Sequence, residues 1–387
     1  MINLYNYLDN RICKMKLNKE QKEKLLALDK EYGELVMMYR NDLNTKDIDN
    51  IEEEFEKFIN ARKRGLKYFP QIKLTTDNGF LTDGIMQRLK QLLVEFEKFN
   101  CFLSKYYIEL LNDMIHSVEF FCDVKNKHPW YTAYREQKPS LENLTLAYKM
   151  LEENPYEDVD DIKDRNIDGK TAAKIIQDHI DKLGYKWEVK LNDKMVPRMN
   201  VDIDRTMNVN PNAKFSNTDI EGLKVHEVEG HIGRRYYGLK TGLNLFLMGL
   251  RWRNTLDEGL AIWNSLHKVS KVKPNVKFNI SLKTIITYYL GEKDFCELFD
   301  MCKKLSPNLP DKSLFTNLLR FKRELQDCSI IGGNGDDQSY FCGYQLVKKM
   351  TDKERDDILK WNIGPDQIQD LPKIKEFFRL NKFEPLI

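Results

Sequence analysis

The chain holds six histidines, and two of them bracket a glutamate in Val225-His226-Glu227-Val228-Glu229-Gly230-His231. Imidazole nitrogens ligate zinc well and a neighbouring carboxylate can move protons, so this segment points to metal-assisted hydrolysis. Its spacing imposes a condition. Histidines four apart lie about 40° from each other around a helix, whereas two that are five apart diverge by roughly 140° at about 100° per residue. A regular α-helix therefore cannot turn both rings onto one ion. Convergence requires the backbone to open by one residue, as a π-bulge or by ending the helix at His231. Gly230, just before it, tolerates that relaxation. The alternative is two unrelated histidines on one helix.

A zinc site that activates water needs a third protein ligand and an open fourth position. Glu258, in Thr255-Leu256-Asp257-Glu258-Gly259-Leu260-Ala261, is a candidate, although Thr255 and Glu258 also fit a helix capping box, and one carboxylate cannot easily serve both roles. Glu227, beside His226, is placed to take a proton from the attacking water and return it to a leaving amine. Glu229 has no assigned task and is expected at the surface or behind the ligands.

Several elements must position these groups. Helical apolar spacing runs over about residues 18–67 and again over about 82–124, the latter long enough for two helices or one. The acidic, proline-containing stretch 152–161 marks a loose boundary between a helical N-terminal region (1–150) and a region carrying the site (151–387). After a helix at about 171–183 the period becomes two over 187–191, 196–203 and 207–209, which predicts a small antiparallel sheet next to the site helix. Ser216-Asn217-Thr218-Asp219 is a start signal for that helix. The rest reads as mostly helical. Residues 332–337 lack the lysine of a phosphate loop and the twelve-residue calcium spacing, so a flexible turn near the site is expected. The fold class is α+β, mainly α.

Composition limits the partners. Of 387 residues, 62 Lys+Arg face 60 Asp+Glu, a net charge of +2, too little basic excess for binding that rests on phosphate neutralisation. No nucleic-acid partner is expected. An aromatic content of 11% argues against disorder. The N-terminus shows no secretory pattern, the longest apolar run (245–250) is too short to span a bilayer, and the seven cysteines form no Cys-x-x-Cys pair. A cytoplasmic protein with reduced thiols and no membrane partner is expected.

The segment from Val225 to Arg234, with Asp257-Glu258-Gly259-Leu260-Ala261, resembles the His-Glu-x-x-x-His tyrosine carboxypeptidases, whose eukaryotic members are the microtubule-associated tyrosine carboxypeptidases. Bacterial relatives carry a Gln-Glu-Gly-Leu-Ala motif. The similarity takes in Val209-x-Pro211-x-Ala213-x-Phe215-Ser216, Arg320-x-x-Arg323, Gly332-Gly333 and Asp337-x-x-Tyr340-x-x-Gly343, and covers roughly residues 60–380. It implies a zincin-like catalytic unit holding one Zn2+ on His226, His231 and Glu258, with Glu227 as the catalytic acid/base. It also implies removal of a C-terminal residue, tyrosine, from a protein or peptide, for which a tubulin-like acidic tail is the candidate partner. Arg234, Arg320 and Arg323 are candidates for gripping the terminal carboxylate with a bidentate fork, and Tyr340 for stabilising the oxyanion. The sequence departs from the family pattern at Glu229-Gly230, at Asp257 and at Asp336, the last standing where a lysine is common. A zinc peptidase of other specificity, or a catalytically silent binding protein on the same fold, are the alternatives.

Overall fold

The structure, a computed structural model, describes residues 14–42, 48–74, 83–122, 138–158, 164–193, 195, 198–250, 253–364 and 367–387. The N-terminal signal reading and His128 lie partly or wholly outside them. Helices α1 (Lys19–Asp42), α2 (Ile51–Lys63), α3 (Asp83–Lys98), α4 (Ser104–Cys122) and α5 (Leu141–Glu153) come first. The long apolar stretch after residue 82 becomes two helices because the chain turns at 99–103, where the Ser104 hydroxyl donates to the Phe99 carbonyl. α3 and α4 then pack on each other.

Five short strands follow, β1 (Ile167–Asp168), β2 (Glu188–Leu191), β3 (Met199–Val201), β4 (Thr206–Val209) and β5 (Lys214–Phe215), with α6 (Gly169–Lys182) after β1. β1 and β5 form an antiparallel ribbon. The other three are ordered β2-β4-β3. β3 and β4 pair antiparallel, but β2 pairs with β4 in parallel, Glu188 opposite Thr206 and Leu191 opposite Val209. The sheet is thus mixed, not antiparallel as expected. Burial accounts for the order: Thr206, Met207 and Val209 are buried and put β4 at the centre, whereas Leu191 is exposed on β2 at the edge. The parallel pairing is possible because β3 and its flanks give the longer connection it needs.

Next come α7 (Asn217–Leu223), a π-helix (Lys224–Ile232) and α8 (Gly233–Lys240) in one unbroken rod, then α9 (Asn244–Met248) and α10 (Arg253–His267). The chain continues with α11 (Val276–Tyr289), α12 (Phe295–Leu305), α13 (Asp311–Lys322), α14 (Gln338–Lys349), α15 (Asp352–Trp361) and α16 (Leu371–Asn381). The fold is α+β and mainly α, as the sequence predicts. No described helix is long and apolar enough to cross a membrane.

Two hydrophobic cores result, each drawing on residues from both sides of position 150. The first gathers α1, α3, α4, α6, β4, the π-helix and α16. The second gathers α2, α5, α11, α12 and α13 around Phe58, whose ring meets Phe295, Phe299 and Phe315 at 5.4, 4.9 and 5.2 Å. α10 and α14 serve both, for Leu256, Leu260 and Val347 lie in the first core and Ile262, Phe341 and Tyr344 in the second. These two helices touch backbone to backbone. A Cβ on Gly259 would lie 2.3 Å from the Gly343 carbonyl carbon, and one on Gly343 would lie 1.8 Å from the Thr255 oxygen. The glycines in both family-like motifs are therefore a steric requirement of this contact.

Candidate active site

The rod carrying the two histidines is clamped where it begins. Ser216 and Asp219 form the expected capping box. The buried Asp219 carboxylate also takes Arg198 at 2.9 and 3.1 Å and Lys273 at 2.8 Å. Burial pushes Asp219 up, but these cations outweigh it and hold the carboxyl well below its usual range. One turn later the backbone adopts π geometry over all of Lys224–Ile232, more than a single bulge. The five-residue spacing of His226 and His231 thereby falls on one side of the rod, with ring centroids 5.1 Å apart and planes at 81°. Gly230 contributes through size: a Cβ there would lie 3.2 Å from Ala261 Cβ, so its absence lets the π-helix close on α10.

α10 delivers the third group. His226 Nε2 and His231 Nε2 each stand 3.7 Å from Glu258 Oε2. One ligand atom from each of the three residues lies within 4.8 Å of the others. Ligands around a tetrahedral zinc at about 2.0–2.2 Å are separated by about 3.3–3.6 Å, so the two edges that meet at Glu258 are close to the size zinc requires. Glu258 Oε2 is buried and has no hydrogen-bond donor. The capping-box alternative fails because α10 already starts at Arg253, upstream of Thr255.

The far sides of both rings are also occupied. His231 Nδ1 lies 2.9 Å from Asp257 Oδ2, and His226 Nδ1 lies 3.2 Å from Ser265 Oγ, whose own proton goes to the Ala261 carbonyl at 2.9 Å. A proton on Nδ1 of each ring faces these oxygens, so that Nε2, the atom toward Glu258, would be the one offered to a metal, the arrangement that orients metal-binding histidines. Asp257, read in the sequence only as a departure, is thus the orienting carboxylate for His231. An acid directly before the candidate ligand was the available signal.

The electrostatics favour positive charge within the triangle. Burial pulls His231 down, but Asp257 and Glu258 outweigh it and raise the imidazole to about 9. Burial pushes His226 below its ordinary value against the pull of Glu227. Burial lifts Glu258 to about 7, with Asp257 and Glu227 adding in the same direction. Burial also acts upward on Asp257, yet His231 and then Arg234 hold it far below the usual carboxylate range. Glu229, by contrast, faces away to His179 at 3.5 Å and Lys268 at 3.1 Å.

The other candidates divide. Arg234 is wholly buried, donates to the Ile363 carbonyl at 2.9 Å and stands 3.4 Å from Asp257 Oδ1. It braces the orienting carboxylate from the interior and presents no fork to solvent. Arg323 opens a 3-10 turn, Arg323–Leu325, beyond α13 and is half-buried. Arg320 and Tyr340 do approach the site, for Asp337 stands at the start of α14, the helix that carries Tyr340, and pairs with Arg320. Asp337 Oδ1 takes Arg320 at 3.0 Å, and Oδ2 takes Lys283 of α11 at 3.3 Å. Lys283 also lies 4.8 Å from the centre of the Tyr340 ring. Glu258, then burial, hold the Tyr340 phenol protonated far above its ordinary value. The preceding loop is tied to α13. Buried Lys322 donates to the carbonyls of Ile330 and Gly332 at 2.6 and 2.7 Å, and Asn334 N–H bonds the Phe321 carbonyl at 2.8 Å.

No curated protein matches the chain. A family model described as microtubule-associated tyrosine carboxypeptidase matches residues 107–384, more than half of the sequence and every group of the site, and the chain belongs to that family.

Proposed function

We propose that this family member is a zinc-dependent carboxypeptidase that removes a C-terminal residue, tyrosine by family membership, from a protein or peptide. The observation that carries the reading is the triangle of His226 Nε2, His231 Nε2 and Glu258 Oε2 made by the π-helix, with both Nδ1 atoms already engaged. One Zn2+ held by these three atoms would polarise the scissile carbonyl and acidify water. Glu227, next to His226 on the same π-turn, takes the proton of the attacking water and hands it to the departing amine. The Tyr340 phenol, kept protonated beside Glu258, donates to the oxygen on which charge develops. Arg320 offers its guanidinium to the terminal carboxylate.

The region from 151 on carries this machinery, with the helices before it as support. A tubulin-like acidic tail is the proposed substrate and the cytoplasm the proposed setting. The near-zero net charge gives little long-range attraction for such a tail, so recognition rests on local cations. Zinc analysis of purified protein together with Glu227→Gln tests the reading. About one zinc per chain in both proteins, with peptide hydrolysis lost by 100-fold or more in the variant, is expected. Absence of zinc from the wild type, or undiminished hydrolysis in the variant, sinks it.

A further inference from the structure

We propose that Lys283 of α11 is the residue that makes the site select a free C-terminal carboxylate, acting beside Arg320. The inference rests on the carboxypeptidase reading and deepens it. A carboxypeptidase must neutralise a substrate carboxylate one residue from the scissile bond, in a site already crowded by Glu227, Asp257 and Glu258. Cations near Glu258 are therefore the groups to search.

Arg234 faces inward onto Asp257 and the Ile363 carbonyl. Position 336 offers an acid, one oxygen of which is shut off from solvent. Lys283 and Arg320 remain, and they converge from different helices on the two oxygens of Asp337, at 3.3 and 3.0 Å. One carboxylate between two cations leaves this trio with a positive charge in excess. Asp337 is nearly closed to solvent with 9% of its side chain exposed, whereas Lys283 keeps 20% and Arg320 51%, so the cations rather than the acid face an incoming group.

The trio is also in the right place. Tyr340 lies one helical turn before Gly343, whose backbone rests on Gly259, the neighbour of Glu258. Lys283 stands over the Tyr340 ring at 4.8 Å. The ammonium thus sits beside the proposed oxyanion donor, where the carboxylate of a C-terminal residue would arrive. Lysine suits this position because it is a compact charge with three donors, and its ion pair with Asp337 leaves donors for a second carboxylate.

The test compares Lys283→Gln with wild type on one peptide ending in tyrosine, prepared as free acid and as C-terminal amide. Hydrolysis, zinc content and thermal unfolding are followed for each. A charge-assisted hydrogen bond contributes about 1.5–3 kcal/mol, so the acid-over-amide ratio of kcat/KM should fall about ten- to hundredfold, with zinc content unchanged. If the single variant does not fold, Lys283→Met, which fills similar space and leaves Asp337 paired with Arg320, should show the same loss, and a ratio like that of wild type overturns the proposal. A wild type that prefers the acid while the variant keeps that preference refutes Lys283 alone. A wild type with no acid preference refutes the carboxypeptidase reading and this inference with it.

Discussion

Replacing Asp257 with asparagine separates the orientation of a metal ligand from the ligand itself. One oxygen of the native carboxylate lies 2.9 Å from His231 Nδ1, while the other faces Arg234 Nη1 at 3.4 Å. An asparagine cannot satisfy both neighbours. With its oxygen toward His231, its amide protons meet the buried guanidinium. Turned the other way, its amide donates to Nδ1 and drives the ring proton to Nε2, the atom that faces Glu258 at 3.7 Å. Either outcome weakens the site without removing a ligand. Loss of such an outer carboxylate typically costs 10–100-fold in metal affinity, about 1.4–2.7 kcal/mol. Zinc affinity is to be measured by competition with a coloured chelator at neutral pH, for wild type, Asp257→Asn and Glu258→Gln. The order expected is wild type tightest, Asp257→Asn intermediate and Glu258→Gln weakest. Equal affinity of Asp257→Asn and wild type would refute the assignment of His231 Nε2 as a ligand atom oriented from behind.

Two further outcomes follow from packing and burial. Gly343→Ala places a methyl 1.8 Å from the Thr255 oxygen, a backbone atom that cannot rotate aside, and forces α10 and α14 apart. Overpacking usually costs 1–3 kcal/mol, so a loss of about 3 kcal/mol or more in urea unfolding is expected, and a loss below about 1 kcal/mol contradicts the contact. Lys322 is wholly buried, and burial lowers its ammonium from 10.5 to about 8. Between these values the unfolded chain binds more protons than the folded one, so stability rises with pH, the gain being complete above about 10.5 and lost as pH falls through 8. At 1.36 kcal/mol per pKa unit the advantage of wild type over Lys322→Met should grow by up to about 3 kcal/mol between pH 7 and pH 10.5. A difference that stays flat with pH rules this out.

What the sequence disclosed, and what it hid, follows from the range of each interaction. The five-residue spacing of His226 and His231 demands an opened helix by geometry alone, and the π-helix answers it. The capping box at Ser216 and Asp219 is equally local. Glu258 was ambiguous because a capping signal and a ligand look alike until the helix start is known, and the two residues α10 has upstream of Thr255 decide it. The parallel pairing of β2 with β4 was beyond reach, since alternation marks a strand but not its neighbour. Arg234 shows the same limit: an arginine in a family-like block has the same letter whether its fork meets substrate or a buried aspartate.

Lys283 has no motif at all, and its relevance arises where the two cores meet. α10 and α14 belong to both cores and approach so closely that neither tolerates a side chain at Gly259 or Gly343. Glu258 stands on one helix beside that contact, and Tyr340 and Asp337 stand on the other. The π-helix is held against α10 from the first core, and α11 and α13 bring Lys283 and Arg320 from the second. Proposed metal ligands thus come from one side of the seam and substrate-gripping cations from the other, with their spacing set by two glycines. A change that loosens the seam should therefore lower hydrolysis of acid and amide peptides alike, whereas a change at Lys283 should lower the ratio of acid to amide cleavage. That contrast tells a displaced site from an altered one.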